Sequence, residues 1–175
     1  MVKITPKGFM KDKKKASENP EWGFVVIRDD KLKEYVDQIN PRRKVNKIVV
    51  HHTGSDVPFL GVDSWRSIDR YHKRRGWMGI GYHFGITPEG RVWVLRPIHL
   101  VGAHAEGHNV GSIGVVVWGN RQKTHTAIIK LAEFVALLSK RFGAAVFFHK
   151  DLKKTACPNI DKQRFMKLVN LFGGE

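Results

Sequence analysis

The chain has 175 residues, 42% of them apolar, which is enough for one domain with a hydrophobic core and excludes a disordered protein. It carries 31 Lys and Arg against 16 Asp and Glu, so its formal net charge is +15. Such a charge attracts polyanions, and composition alone does not choose among nucleic acid, anionic lipid and acidic cell-wall polymers. No run of about 20 apolar residues predicts a membrane span.

Residues 1–19 are basic, polar and without hydrophobic periodicity. We expect them to form a flexible arm that precedes a single domain over residues 20–175. Their positive charges are not followed by an apolar segment, so the pattern is not that of a signal peptide. We therefore expect the protein to be synthesised in the cytoplasm.

Beyond the arm, the apolar residues alternate between strand-like and helix-like spacing. Six strands are predicted, at 22–28, 48–50, 81–86, 91–95, 113–118 and 144–148. The third and fourth form a hairpin around the turn at 87–90. Helices are predicted at 30–40, 64–76, 124–142 and 161–172. Asp29 or Asp30 and Asp161 are expected as N-caps, and Gly76 as a helix stop. Interleaved strands and helices predict an α/β fold, a mixed sheet flanked by helices.

Cys157 is the only cysteine and follows His149 by eight residues. A lone thiol forms no internal disulfide, which leaves a buried apolar filler, a nucleophile or a metal ligand. Zinc requires imidazole nitrogens and thiolates that converge in a tetrahedral shell, and a catalytic zinc keeps one position open for water. One histidine beside one cysteine does not satisfy that requirement.

A further histidine ligand is available at the end of the strand predicted at 48–50, which runs directly into His51 and His52. The strand at 144–148 ends likewise in His149. If the two strands are neighbours in one sheet, their ends meet, and the following loop can fold Cys157 back onto them. Successive side chains of a strand point to opposite faces, so His51 and His52 cannot both face one metal without a bulge. Parity alone does not choose between them.

Four segments occur in an order that resembles one enzyme family. They are Ile48-Val49-Val50-His51-His52-Thr53, Ile80-Gly81-Tyr82-His83-Phe84, Gly102-Ala103-His104-Ala105 followed by Asn109 and Ser112-Ile113-Gly114-Val115, and His149 through Cys157-Pro158. Together they span residues 46–159. The chain resembles the zinc-dependent N-acetylmuramoyl-L-alanine amidases of the amidase-2 superfamily, which includes phage endolysins of the T7 lysozyme type and peptidoglycan recognition proteins.

This resemblance implies a single catalytic domain with the fold of T7 lysozyme and the peptidoglycan recognition proteins. It implies one zinc ion (Zn²⁺) held by His51, His149 and Cys157, since the first histidine of the His-His-Thr run is the ligand in this family. Tyr82 matches a tyrosine that is catalytic in family members.

The position two residues before the cysteine differs within the family. Phage enzymes of the T7 type carry lysine there, recognition-protein amidases carry threonine, and this chain has Thr155. The resemblance therefore implies that Thr155 stabilises the oxyanion, with Lys153 and Lys154 as alternative donors.

Three further residues are candidate substrate contacts. His104 and Asn109 lie in a matching segment, and Trp77 has a ring that can stack on a sugar, although aromatic residues at helical spacing more often belong to the core. His83 follows Tyr82 and points to the opposite face, so we expect it to be structural.

The implied reaction is hydrolysis of the amide between N-acetylmuramic acid and L-alanine in peptidoglycan. We expect a monomeric phage or prophage endolysin that reaches the cell wall through lesions made by another protein, its basic surface favouring anionic envelope polymers. An intracellular muropeptide-recycling amidase and a non-catalytic peptidoglycan-binding module are the alternatives. A nucleic-acid binder would leave the histidines and the cysteine without a role, so no specific nucleic acid is expected.

Overall fold

The computed structural model describes residues 22–121 and 123–174, so the arm predicted at 1–19 lies outside the described residues. Six strands are present: β1 (Val25–Ile27), β2 (Lys47–His52), β3 (Phe84–Ile86), β4 (Val92–Val94), β5 (Ser112–Val117) and β6 (Ala145–Phe148). Five α-helices are present within the described residues: α1 (Leu32–Gln38), α2 (Val62–Arg74), α3 (His125–Phe142), α4 (His149–Leu152) and α5 (Lys162–Gly173).

The six strands form one sheet in the order β1-β4-β3-β5-β2-β6. The pairs β3 with β5, β5 with β2 and β2 with β6 are parallel, whereas β4 is antiparallel to both β3 and β1. The predicted hairpin is β3-β4, closed by hydrogen bonds from Thr87 N to Arg91 O and from Gly90 N to Thr87 O. The α/β class and the mixed sheet flanked by helices are confirmed.

The two faces of the sheet carry separate apolar clusters. Alternating residues of β2 and β5, such as Val50 and Val115, pack with α1, α3 and α5 in the larger cluster. Trp65 of α2 packs on the other face against Val116 and Trp118. Because side chains alternate along each strand, the residue that follows Val50 is directed to the α2 face.

Of the helix ends predicted from the sequence, Asp161 as an N-cap and Gly76 as a stop are confirmed, and Thr124 is a further N-cap that was not predicted. The N-cap side chains of Thr124 and Asp161 accept hydrogen bonds from Ala127 N and Arg164 N, and Gly76 adopts a φ of +82° just after α2. The cap predicted at Asp29 or Asp30 is wrong. Residues Asp29–Lys31 form a 3₁₀ turn without a side-chain cap, and the Asp30 carboxylate pairs with Arg28 at 2.6 Å.

None of the helices in the described part of the chain is long and apolar enough to cross a membrane.

His83 lies fully buried at the start of β3, as its expected structural role requires. Its Nδ1 accepts a hydrogen bond from Gly114 N at 3.0 Å, and its Nε2 lies 3.0 Å from Leu100 O. Burial lowers the pKa of His83 from its ordinary value of 6.5 to about 3. The ring is therefore neutral in the folded protein at any pH where the unfolded chain begins to protonate it.

This burial predicts a specific acid sensitivity. As the pH falls, the unfolded chain takes up a proton near pH 6.5, but the folded ring does not until near pH 3, so the free energy of unfolding decreases in between. His83 should contribute about 2 kcal/mol to this decrease from about pH 7.5 to about pH 5. Urea unfolding of metal-free protein, compared with a His83→Asn variant, measures that share. A variant profile as steep as that of the wild type would contradict the assignment.

Candidate metal centre

The site is built at the carboxyl ends of β2 and β6. These strands are parallel neighbours with Val50 opposite Phe148, so the residues that follow, His51 and His149, lie at the same edge of the sheet. His149 is the first residue of α4, a short helix that the sequence did not predict. Its first turn is fixed by Asp151, whose carboxylate accepts a hydrogen bond from Phe148 N at 2.7 Å.

The segment after α4 folds back so that Cys157 meets the two histidines. The Cys157 carbonyl accepts a hydrogen bond from Lys150 N at 2.9 Å. One potential ligand atom from each of His51, His149 and Cys157 lies within 4.8 Å of the others. His51 Nδ1 is 3.8 Å from Cys157 Sγ, and the rings of His51 and His149 lie 4.6 Å apart. Two imidazole nitrogens and one thiol sulfur that converge in this way are a donor set that fits a catalytic zinc ion.

The choice between the paired histidines follows from the faces of β2. His51 is buried on the α2 face, where it meets the other two residues of the cluster. His52 is directed by strand alternation to the opposite face, and it is the backbone N of His52 that donates to Cys157 Sγ, at 3.3 Å. The residue implied as the ligand is therefore the one that the cluster contains.

Burial sets the protonation states of the cluster. Burial, with smaller contributions from the charges of His149 and His52, holds the pKa of His51 well below its usual range. Burial and Lys153 also lower the pKa of His149. Both rings are therefore neutral and offer nitrogen lone pairs. Burial raises the pKa of the Cys157 thiol to about 11, so the thiolate ligand forms only when a metal displaces its proton.

His104 lies behind His51 and not on an open cleft. Its Nδ1 is 2.9 Å from His51 Nε2, its Nε2 is 3.1 Å from Ser112 Oγ, and only 8% of the residue is exposed. Both ring nitrogens are engaged inside the protein, so His104 supports the candidate ligand His51 and has no free ring nitrogen for the expected substrate contact. Asn109 has a related position, because its Oδ1 accepts hydrogen bonds from the backbone N of His104 and of Ala105 at 2.8 and 2.9 Å.

Tyr82 lies beside the cluster, with its ring 5.2 Å from that of His51. The preceding residue, Gly81, allows this approach. A Cβ there would lie 1.9 Å from Ala103 O, and Gly81 O accepts a hydrogen bond from Ala103 N. Burial, and to a smaller extent Cys157, holds the pKa of Tyr82 well above its ordinary value. Its hydroxyl is therefore protonated at neutral pH.

Trp77 is connected to Tyr82 through an intervening ring. It lies 4.6 Å from His72, which in turn lies 5.7 Å from Tyr82. The Arg75 guanidinium covers the Trp77 ring at 4.9 Å, and the residue is half-buried. This position at the rim of the site is compatible with the expected substrate contact.

The candidate oxyanion donors differ in what they already bind. Thr155 is exposed, and its Oγ1 accepts a hydrogen bond from Cys157 N at 3.2 Å, which leaves the hydroxyl proton available. Lys153 forms an exposed ion pair with Glu106 at 3.0 Å. Lys154 is exposed as well. Of the three, only Thr155 has a side chain that is hydrogen-bonded to a residue of the cluster.

A family profile described as N-acetylmuramoyl-L-alanine amidase matches residues 41–160. The chain belongs to this family. The endolysin of Enterobacteria phage T3 is 34% identical over 137 residues, which cover 73% of this chain and 89% of the relative. Peptidoglycan-recognition protein LB of Drosophila melanogaster is 26% identical over 125 residues, covering 63% of this chain and 53% of that protein.

A solved structure extends the comparison to the fold. The N-acetylmuramoyl-L-alanine amidase LysC from Clostridium intestinale URNW superposes with a TM-score of 0.66 at 31% identity, covering 75% of this chain and 89% of that chain. The family resemblance and the fold expected from it are confirmed. The matched segment, 41–160, includes the cluster of His51, His149 and Cys157, and also His104 and Asn109 behind it.

The cluster predicts which histidine retains the metal. We expect wild-type protein to hold about one zinc per chain, His51→Ala and Cys157→Ser to lose it on dialysis, and His52→Ala to keep it, because of these two adjacent histidines only His51 contributes a ring nitrogen to the cluster. Metal content by atomic emission measures this, and His52→Ala is the matched control. A site emptied by His52→Ala and retained in His51→Ala would contradict the geometry.

Proposed function

We propose that this amidase hydrolyses, with zinc, the amide that joins the lactyl group of N-acetylmuramic acid to L-alanine in peptidoglycan. The observation that carries the proposal is the convergence of His51, His149 and Cys157 within 4.8 Å beside Tyr82, in a chain of the amidase family. The retained cysteine and tyrosine favour an enzyme over a module that only binds peptidoglycan.

The ligand residues are prepared to hold the ion. His51 and His149 present neutral rings, and Cys157 supplies a thiolate when its proton is displaced. When bound, zinc supplies a Lewis acid that acidifies water and polarises the scissile carbonyl. The remaining work falls to residues that orient the reacting groups.

Tyr82 and Thr155 have complementary roles in this proposal. The raised pKa of Tyr82 keeps its hydroxyl protonated, so it acts by orientation and hydrogen bonding and not as a general base at neutral pH. The Thr155 hydroxyl is held as an acceptor by Cys157 N, and its own proton is free to stabilise the negative charge that develops on the carbonyl oxygen.

We further infer that the amidase acts as a phage or prophage endolysin, reaching the wall after release from the cytoplasm. Two observations support this role. The endolysin of phage T3 covers 73% of this chain at 34% identity, and the net charge of +15 suits an anionic envelope polymer.

Product analysis of digested peptidoglycan tests the reaction. Hydrolysis at the proposed bond creates new amino termini of L-alanine without new reducing sugars, and a chelator should stop it. New reducing ends would identify a glycosidase and refute the proposal. Loss of turbidity of purified walls, with soluble muropeptides left intact, would favour the endolysin over a recycling amidase.

Tyr82→Phe should keep zinc but lower kcat by about 10²-fold, since the loss of one positioned hydrogen-bonding hydroxyl costs about that much. Metal content and kcat on a soluble muramyl peptide measure both effects. Normal turnover in this variant would remove Tyr82 from the mechanism.

Thr155 offers an isosteric test of the oxyanion donor. Thr155→Val removes the hydroxyl at constant shape and should lower kcat by about 10²-fold, whereas Thr155→Ser keeps the donor and most of the activity. Full activity in the valine variant would transfer the role to another group, and activity of Lys153→Met and Lys154→Met variants would then identify it.

A further inference from the structure

A buried chain of side chains extends from the metal centre into the protein. His51 Nε2 is 2.9 Å from His104 Nδ1, His104 Nε2 is 3.1 Å from Ser112 Oγ, and Ser112 Oγ donates to Asn109 O at 2.8 Å. We propose that His104 and Ser112 are positioning residues that fix the tautomer of His51, so that its Nδ1 is unprotonated and available to a metal. This inference rests on the proposed zinc site.

The single proton of the Ser112 hydroxyl determines which group donates and which accepts in this series of hydrogen bonds. A hydroxyl has one proton, and the proton of Ser112 is donated to Asn109 O, a carbonyl that also accepts the Ser112 backbone N–H at 3.2 Å. Toward His104 Nε2, Ser112 can therefore only accept. His104 Nε2 must carry the ring proton, which leaves His104 Nδ1 as an acceptor.

The tautomer of His104 in turn determines that of His51. An unprotonated His104 Nδ1 requires that His51 Nε2 carries the proton of the hydrogen bond between them. A neutral His51 is then unprotonated at Nδ1, the atom that faces Cys157 Sγ at 3.8 Å. The reverse direction would place a proton on His51 Nδ1 and obstruct a metal there. The hydrogen-bond partner of a metal-bound histidine generally sets its tautomer and orientation.

The fold leaves His104 one position. A Cβ added at Gly102 or at Gly114 would lie 2.5 Å from His104 Cδ2, so the ring occupies space that only glycine provides on both sides. The backbone of the loop is held by Asn109 Oδ1, which accepts from His104 N at 2.8 Å. The surrounding chain thus fixes the ring against His51, since neither the loop nor the glycines allow it to move away.

A pair of substitutions separates hydrogen bonding from packing. His104→Asn keeps an acceptor oxygen near the position of Nδ1, whereas His104→Leu has the same branched shape without an acceptor. We expect the leucine variant to bind zinc about 10- to 100-fold more weakly than wild type, and the asparagine variant to remain close to wild type. Chelator competition measures the dissociation constants. Equal affinities in the two variants would overturn the inference.

Nuclear magnetic resonance of ¹⁵N-labelled histidine reads the tautomer directly and without zinc, and its wild-type measurement does not depend on the folding of any variant, whereas the Ser112→Ala measurement is made on protein shown to be folded. In metal-free wild-type protein above neutral pH, His51 should be protonated at Nε2, and Ser112→Ala should produce a mixture of tautomers. Protonation of His51 at Nδ1 in wild type, or an unchanged tautomer in Ser112→Ala, would overturn the inference. A wild-type protein that binds no zinc would instead contradict the proposed function. The tautomer of His51 in the metal-free protein would still test the series of hydrogen bonds from His51 through His104 to Ser112.

Discussion

The parallel register of β2 between β5 and β6 is the constraint on which the site depends. Ile48, Val49 and Val50 are fully buried, and burial of such a side chain stabilises a fold by roughly 1.5–3 kcal/mol. A slip of one residue would turn this apolar set over and would replace His51 with His52 at the α2 face. The core packing of β2 therefore decides which histidine meets His149 and Cys157, so the candidate ligand is selected by residues outside the cluster.

Burial of neutral imidazoles is the second condition. His72 Nδ1 accepts the backbone N–H of Gly81, and His83 Nδ1 accepts that of Gly114, each at 3.0 Å. These ring nitrogens take the place of carbonyl partners where the chain enters β3, and each must be unprotonated to do so. Burial lowers the pKa of both rings, to about 4 for His72 and about 3 for His83. The low-dielectric surroundings that keep the candidate ligands His51 and His149 neutral thus also stabilise the backbone that carries Tyr82.

The sequence predicted the parts of this arrangement that depend on periodicity and spacing. Strand ends at His51 or His52 and at His149, with Cys157 eight residues after His149, indicated a cluster if the two strands were neighbours, and the family resemblance chose His51 over His52. Periodicity did not predict α4, a single turn fixed by the Asp151 carboxylate. Nor did it assign His104, whose place behind His51 depends on the close approach of Gly102 in its own loop and of Gly114 in β5. Ser112 is the one polar residue of the otherwise apolar β5, which is a weak sequence signal for a functional role. Its partner His104 lies in a loop, where hydrophobic periodicity predicts nothing.

One hydrogen bond connects the proposed oxyanion donor Thr155 to the candidate metal ligand Cys157. The candidate ligands His51 and His149 extend from a strand end and a helical turn, whereas Thr155 and the third candidate, Cys157, lie in the loop that follows α4. A lysine at this position, as in the T7 type, has no acceptor atom and would leave Cys157 N without this partner. Threonine accepts from Cys157 N and keeps a proton to donate, so it orients the turn that presents the thiol and offers an oxyanion donor with the same oxygen. In this chain the position of the proposed oxyanion donor Thr155 is therefore coupled to that of the candidate ligand Cys157. The same oxygen, Thr155 Oγ1, would bind the substrate and accepts the hydrogen bond from Cys157 N.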